Sequence, residues 1–444
     1  MQLMADALRE LGGGAGAVPD ARELEPLGFL AYQAMTGRSR DYHGLAHAFV
    51  VAEGLPPLGR LAAIYHDAVY FHVDQGFSPE VGARIGDVVE QRDGKLFLPP
   101  RLDVVIADLA VVFGFTAGQE LAVYGGLSEF LSAALATREL QRFLPRKALW
   151  AIAACIEATI PFRKQVAGGT PTEALRARLG RLGEGAGALT EGESDEILVL
   201  ATRLANSDVQ SFGQQDLSDF LDDTWKLLPE TNPEFRQVGA YSIRRYREAL
   251  SRTEAFLSSL DPGVIFRQHR ATPSDADYQA LRTRAAINLR AASEYLRAKI
   301  AAMLVLEALA ELSGGDGPIS YFTGAAGSGE SQAHELLQGA GAPGASPALD
   351  SSVLRVLRGG RGSASRFDTS ASPLAAFLYE RLGSEGTAEH VRRARDVHAG
   401  KRDWAWFLRG LPAELVIDVA QAVAAIATAR RERILQIIRD CSST

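Results

Sequence analysis

The sequence predicts a mainly α-helical protein of two or three domains. Its 444 residues exceed what one ordinary hydrophobic core holds. Ala, Leu, Arg and Glu crowd segments whose apolar residues recur at helical spacing. The composition, 47% hydrophobic and 23% charged but only 8% aromatic, fits a globular helical chain.

From Leu24 to about Pro99, short helices are separated by turn signals at Gly37, at Gly54 to Gly59 with two prolines, and at Gly76 to Pro79. Helical patterning continues through Val104 to Phe113, Gly118 to Leu135 and Pro145 to Thr159. The glycine-rich stretch Gly180 to Gly192 reads as a surface loop, and the helix after it carries Asp195 to Asp208. An Arg-rich amphipathic segment spans Asn232 to Leu260, and Ala276 to Leu312 reads as one long helix. Ser313 to Pro347 is dense in Gly, Ala and Ser, as linkers are. The expected division is therefore a first domain over 1–312, a linker over 313–347 and a smaller helical C-terminal domain over 348–444. A regulatory or oligomerising role suits that last domain, which leaves a homo-oligomer open.

A formal charge of -7 argues against a broad nucleic-acid surface and against a grip on anionic lipid. Met1 to Glu10 lacks a basic segment followed by an apolar core. The most apolar later stretches, Val104 to Phe113 and Leu415 to Ala429, are broken by Asp108 and Asp418. The expectation is a cytoplasmic protein with no membrane segment. Cys155 and Cys441 lie too far apart to suggest a zinc knuckle or disulfide framework, and Cys155 reads as a buried free thiol.

The chemistry concentrates before residue 210. In Arg40-Asp41-Tyr42-His43-Gly44-Leu45-Ala46-His47, two imidazoles stand four residues apart, so a helix would project both from one face. Nineteen residues after His47 comes His66, followed by Asp67, in the apolar frame Leu61 to Tyr70. A buried His-Asp pair is costly unless each group is bonded or holds a cation. Taken alone, the dipeptide reads as ordinary buried hydrogen bonding; His43 and His47 upstream, with Asp208 in a partly apolar helix, shift the balance. Imidazoles with carboxylates suit a borderline transition ion, with magnesium at a bridging carboxylate as the harder alternative.

The order Tyr-His-x-x-x-His, then His-Asp, then a distant Asp resembles the HD superfamily of metal-dependent phosphohydrolases, chiefly its small predicted hydrolases. The resemblance covers roughly Leu24 to Leu312, with Asn288-Leu289 similar to that branch's helical tail. It implies an all-α fold of the HD-type helical bundle, with His47, His66, Asp67 and Asp208 as ligands of a divalent metal: manganese, magnesium, nickel, iron or zinc. Asp67 becomes the bridge if two metals bind, and His43 the general acid for the leaving oxygen. Ile156-Glu157-Ala158-Thr159-Ile160 is similar to a family segment whose threonine reaches metal-bound water, which makes Thr159 and Glu157 supporting candidates, against plain helix packing. The family's cyclic nucleotide phosphodiesterases carry a further histidine where this chain has Tyr70, and His72 lies two positions on, which sets that substrate class apart.

The function implied is hydrolysis of a phosphate ester, with a nucleotide or other small phosphorylated metabolite as substrate. The alternative is a non-catalytic HD-like module that binds a nucleotide or partner. Arg38 and Arg40 are candidates for holding the phosphate, against the commoner fate of solvent-facing arginines. Gly324 to Ser331 has phosphate-loop spacing, but Glu330 stands where that motif needs lysine, so a Gly/Ser linker is the better reading. His269, His334, His390 and His398 have no second ligand at a metal-like spacing.

Overall fold

The computed structural model describes residues 1–12, 20–37, 39–163, 169–183, 187–236, 241–323, 348–365 and 367–442. The described chain is all-α but for three short strands, and it divides into two compact units. The first unit comprises Met1–Gly213 with Asp261–Thr283, the second Gln214–Leu260 with Arg284–Thr444.

Helices α1 (Gln2–Gly12), α2 (Ala21–Met35), α3 (Leu45–Ala52), α4 (Pro57–Tyr65), α5 (Phe71–Asp74) and α6 (Pro79–Ile85) open the first unit. Strands β1 (Glu90–Arg92), β2 (Lys95–Phe97) and β3 (Glu120–Leu121) form an antiparallel sheet. Asp93 and Gly94, both at positive φ, make the tight β1–β2 turn. Helices α7 (Val104–Phe113), α8 (Leu127–Leu140), α9 (Arg146–Ala158), α10 (Pro171–Leu179) and α11 (Glu191–Asp208) follow. α9 is the axis of this unit: every residue from Leu149 to Ala158 is buried, and it packs against α4, α7, α8 and α11. Its alanines permit that close approach, and Cys155 lies in the same core, where burial pushes its thiol up. α11 begins in a capping box, Thr190 with Glu193, and so is fixed at its start as well as along its length.

The second unit contains α12 (Leu217–Thr231) and α13 (Ile243–Ser259). The long helix α14 (Asp275–Ser313) contributes its residues from Arg284 onward, and α15 (Ile319–Thr323) follows it. Then come α16 (Ser351–Gly359), α17 (Pro373–His398), α18 (Trp404–Arg409), α19 (Ala413–Ile426) and α20 (Arg431–Ser442); α17 is broken at Gly383, whose φ is 67°.

This division differs from the one expected at residue 312, because 214–260 and 284–312 group with the C-terminal residues. The reason is a buried polar network that composition could not reveal. Asp368 accepts from Trp225 Nε1 at 2.8 Å and from Lys299 Nζ at 2.7 Å, Lys299 also reaches Ser372 at 2.9 Å, and Arg361 donates to Tyr295 at 2.9 Å. Phe235 stacks on Phe367 at 5.1 Å. Arg361, Phe367 and Ser372 are thus buried in the same core as α12 and α14. Of the expected linker, 324–347, with Gly324 to Ser331 and His334, lies outside the described residues. No helix among the described residues is long and apolar enough to cross a membrane.

A candidate metal centre at the ends of two helices

His66 caps the C-terminal end of α4 and Asp67 follows in the turn, so the pair sits past the helix rather than within it. A helix end leaves carbonyls unpaired, and here they are taken up by side chains. His66 Nδ1 bonds Ala63 O at 2.7 Å, which fixes the ring and aims Nε2 the other way. Ser132 of α8 bonds both the amide and the carbonyl of Val69, at 3.0 and 3.3 Å.

Arg40 takes the rest. Its Nη1 donates to the carbonyls of His43, at 3.2 Å, and Asp67; Nη2 donates to Ala68 O at 3.4 Å and to Asp74 at 2.5 Å; Nε donates to Asp74 at 3.0 Å. A guanidinium has five N–H donors, and all five are used. Its side chain has no exposed surface. Arg40, expected as a phosphate holder, is instead the clamp that joins the His43 loop to the His66-Asp67 turn. Arg38 lies outside the described residues.

The expected helix through His43 and His47 also begins later. Gly44 caps α3, leaving His43 in the preceding bend and His47 in the first turn. The two rings still meet, centroids 6.0 Å apart, and His43 packs edge-on against Tyr42 and Tyr70 at 4.9 and 4.7 Å. Asp208 is the last residue of α11. Two bonds tie that end to the end of α3: Ser207 Oγ to Val51 O at 3.0 Å, and Arg203 Nη2 to Gly54 O at 2.8 Å.

These elements bring His47, His66, Asp67 and Asp208 together, with one possible ligand atom from each lying within 4.8 Å of the others. His47 Nε2 is 3.0 Å from Asp208 Oδ1 and 3.7 Å from Asp67 Oδ2; His66 Nε2 is 3.0 Å from Asp67 Oδ2 and 3.3 Å from Asp208 Oδ1. Burial disfavours the His66 cation, yet the two carboxylates outweigh it and hold the imidazole well above its ordinary range. Burial likewise opposes ionisation of Asp67 and Asp208; His66, with His43 and His47, holds Asp67 far below the usual carboxylate range, while His47 and His66 lower Asp208 to about 2.

Two facts fit a cation at this point. His66 Nε2 and Asp67 Oδ2 are buried and have no hydrogen-bond partner, although they face each other. Such atoms are costly to leave so. Asp67 and Asp208 also both stand at helix C-termini, the negative ends of two helix dipoles. Two imidazole nitrogens and two carboxylate oxygens, buried and pointed inward, are a donor set for a divalent transition ion.

The supporting residues expected from the sequence are engaged elsewhere. Thr159 Oγ1 donates to Ile156 O at 2.8 Å, closing the end of α9. Glu157, with no exposed surface, accepts from Arg163 and Arg178, each at 2.6 Å. Three residues near the cluster carry no motif. Glu129 of α8 is pushed up to about 7 by burial, and repulsion from Asp67 and Asp208 adds to the shift. Arg163 follows α9, and Arg267 lies in the irregular stretch before α14. The one signal for Glu129 was a charge directly ahead of the small and apolar run Phe130 to Ala136.

Scanned against protein-family models and searched against curated proteins and solved structures, the chain gives no match in any of the three comparisons.

Proposed function

We propose that the chain is a metal-dependent phosphohydrolase of the HD type, acting on a phosphate ester of a small metabolite, with a nucleotide as the favoured class. The observation that carries this reading is the convergence of two imidazoles and two carboxylates, His47, His66, Asp67 and Asp208, with one possible ligand atom from each within 4.8 Å of the others. A divalent cation held by His47, His66, Asp67 and Asp208 would supply Lewis-acid polarisation of the phosphoryl group and lower the pKa of water from ~15.7 towards ~7.

The remaining work falls to side chains of this chain. His66 keeps Nε2 directed at the cluster because Nδ1 is committed to Ala63 O. Arg40 holds the turn carrying Asp67 at fixed distance from the loop carrying His43. His43 is part-buried and close enough to Asp67 to lower its pKa. From there its ring N–H donates the proton that the departing oxygen requires.

Metal analysis of wild-type and Asp67→Ala protein, paired with phosphate release from a nucleotide panel under added manganese, magnesium or nickel, tests the proposal. Metal and turnover present in wild type and absent in the variant support hydrolysis. Wild-type protein that takes up no metal and turns over nothing overturns it, leaving a binding module.

A further inference from the structure

We propose that Arg267, with Arg163 beside it, forms the anion-holding part of this site and takes a phosphate monoester or polyphosphate group. The inference rests on the phosphohydrolase reading for the identity of the anion. It is independent of that reading for the existence of the subsite.

Arg267 is held in place with unusual economy. Asn206, two residues before Asp208 on α11, accepts from the Arg267 amide at 2.8 Å and donates to its carbonyl at 2.8 Å. The same helical turn that presents a metal-ligand candidate therefore fixes the backbone of this arginine. Among the described residues the side chain makes one hydrogen bond, from Nη2 to Ile160 O at 3.0 Å, and no ion pair. Most of its N–H groups are thus uncommitted, in contrast to Arg40.

The surroundings make that unusual. Arg267 is part-buried, and burial together with the nearby Arg163 cation brings its pKa down to about 10, against the attraction of Glu157 and Asp208. Arg163 spends its Nη groups on Glu157, donating to Oε1 at 2.6 Å and to the main-chain oxygen at 2.9 Å. Arg178 draws on the same Oε1. One carboxylate serves two bonded guanidinium groups and lies within the field of a third. A part-buried guanidinium left without an anion beside another cation is a cost that a bound phosphate would remove. Its planar donor fork matches phosphate oxygens in pairs. Asp208 attracts Arg267 electrostatically, and Asn206, which fixes the Arg267 backbone, stands two residues before Asp208, so this arginine is anchored to the helix end that carries a proposed metal ligand.

Calorimetric titration of the full chain with inorganic phosphate and with pyrophosphate, without metal and with manganese, tests this. Arg267→Gln should weaken pyrophosphate binding on the order of tenfold or more, Arg267→Lys less, and the exposed Arg101→Gln not at all. If a hydrolysed substrate is in hand, Arg267→Gln should raise KM with little change in kcat. Should Arg267→Gln fail to fold, phosphate protection of wild-type Arg267 against phenylglyoxal, read by peptide mass spectrometry with Arg101 as reference, gives the same answer. Equal pyrophosphate affinity in wild type and a folded Arg267→Gln, unprotected Arg267, or no binding of either anion to wild type up to about 10 mM overturns the assignment. Anion binding that depends on Arg267 in a protein with neither metal nor turnover would sink the hydrolase reading alone. Turnover with an unchanged KM in Arg267→Gln would sink this subsite alone.

Discussion

Arg40 and Asp74 meet as a two-pronged ion pair, Nε to Oδ1 at 3.0 Å and Nη2 to Oδ2 at 2.5 Å, with Ser39 Oγ also on Oδ1 at 3.0 Å. Through the other donors of Arg40, this pair determines where the His66-Asp67 turn stands.

Replacing Arg40 by alanine leaves Asp74 with Ser39 but without its cation, and removes the Arg40 donor from three main-chain oxygens. The expected cost is about 3 kcal/mol or more of stability, read as a lowered urea midpoint, with loss of metal binding alongside. Arg40→Lys should recover little, since one ammonium cannot replace a five-donor fork. If Arg40 held substrate instead, the variants would keep their stability and lose only affinity.

Added divalent metal should raise the melting temperature, by the equivalent of about 2.7 kcal/mol at a hundredfold excess over Kd. Asp208→Asn preserves shape but withdraws one ligand and should abolish most of the rise. A full thermal response in Asp208→Asn would mean that metal binds somewhere else.

Glu129 gives a pH signature. Its carboxyl titrates near 7 in the folded chain, above the ~4.3 of an unfolded glutamate, so the folded state binds the extra proton between those values. Stability from this group is fully present below about pH 4 and is lost as pH rises through 7. Glu129→Gln should therefore match wild type at pH 4 and exceed it at pH 8 in metal-free protein. Equal pH dependence in the two proteins would show that burial does not raise the Glu129 carboxyl.

Glu307 in the second unit should behave in the opposite sense. Burial opposes its ionisation, but His398 and Arg247 prevail and hold it below the usual carboxylate range. Its contribution is present above the unfolded value of about 4.3 and lost as pH falls through the lower folded value. Acid unfolding of Glu307→Gln should consequently be shallower than that of wild type over this interval.

The four clustered residues were legible in the sequence because three lie in short motifs and imidazole with carboxylate is an uncommon content for apolar helices. Helical class was legible from periodicity. The fate of Arg40 was not, since it depends on Asp74, 34 residues away. Arg267 left no trace because it lies in irregular chain, where neither spacing nor polarity distinguishes a held arginine from a solvated one. The domain boundary was misplaced for a related reason. Glycine and serine between 313 and 347 suggest a joint, yet Lys299 and Asp368, 69 residues apart, bond at 2.7 Å across that stretch.

His47 and Asp208 meet at 3.0 Å although 161 residues of chain separate them. Closing so long a loop is an entropic burden that only a largely assembled first unit can meet, so a complete ligand set cannot exist in a growing or partly refolded chain. During refolding, tight metal uptake should appear late, after most helical signal has returned. The cluster thereby discriminates finished molecules from unfinished ones.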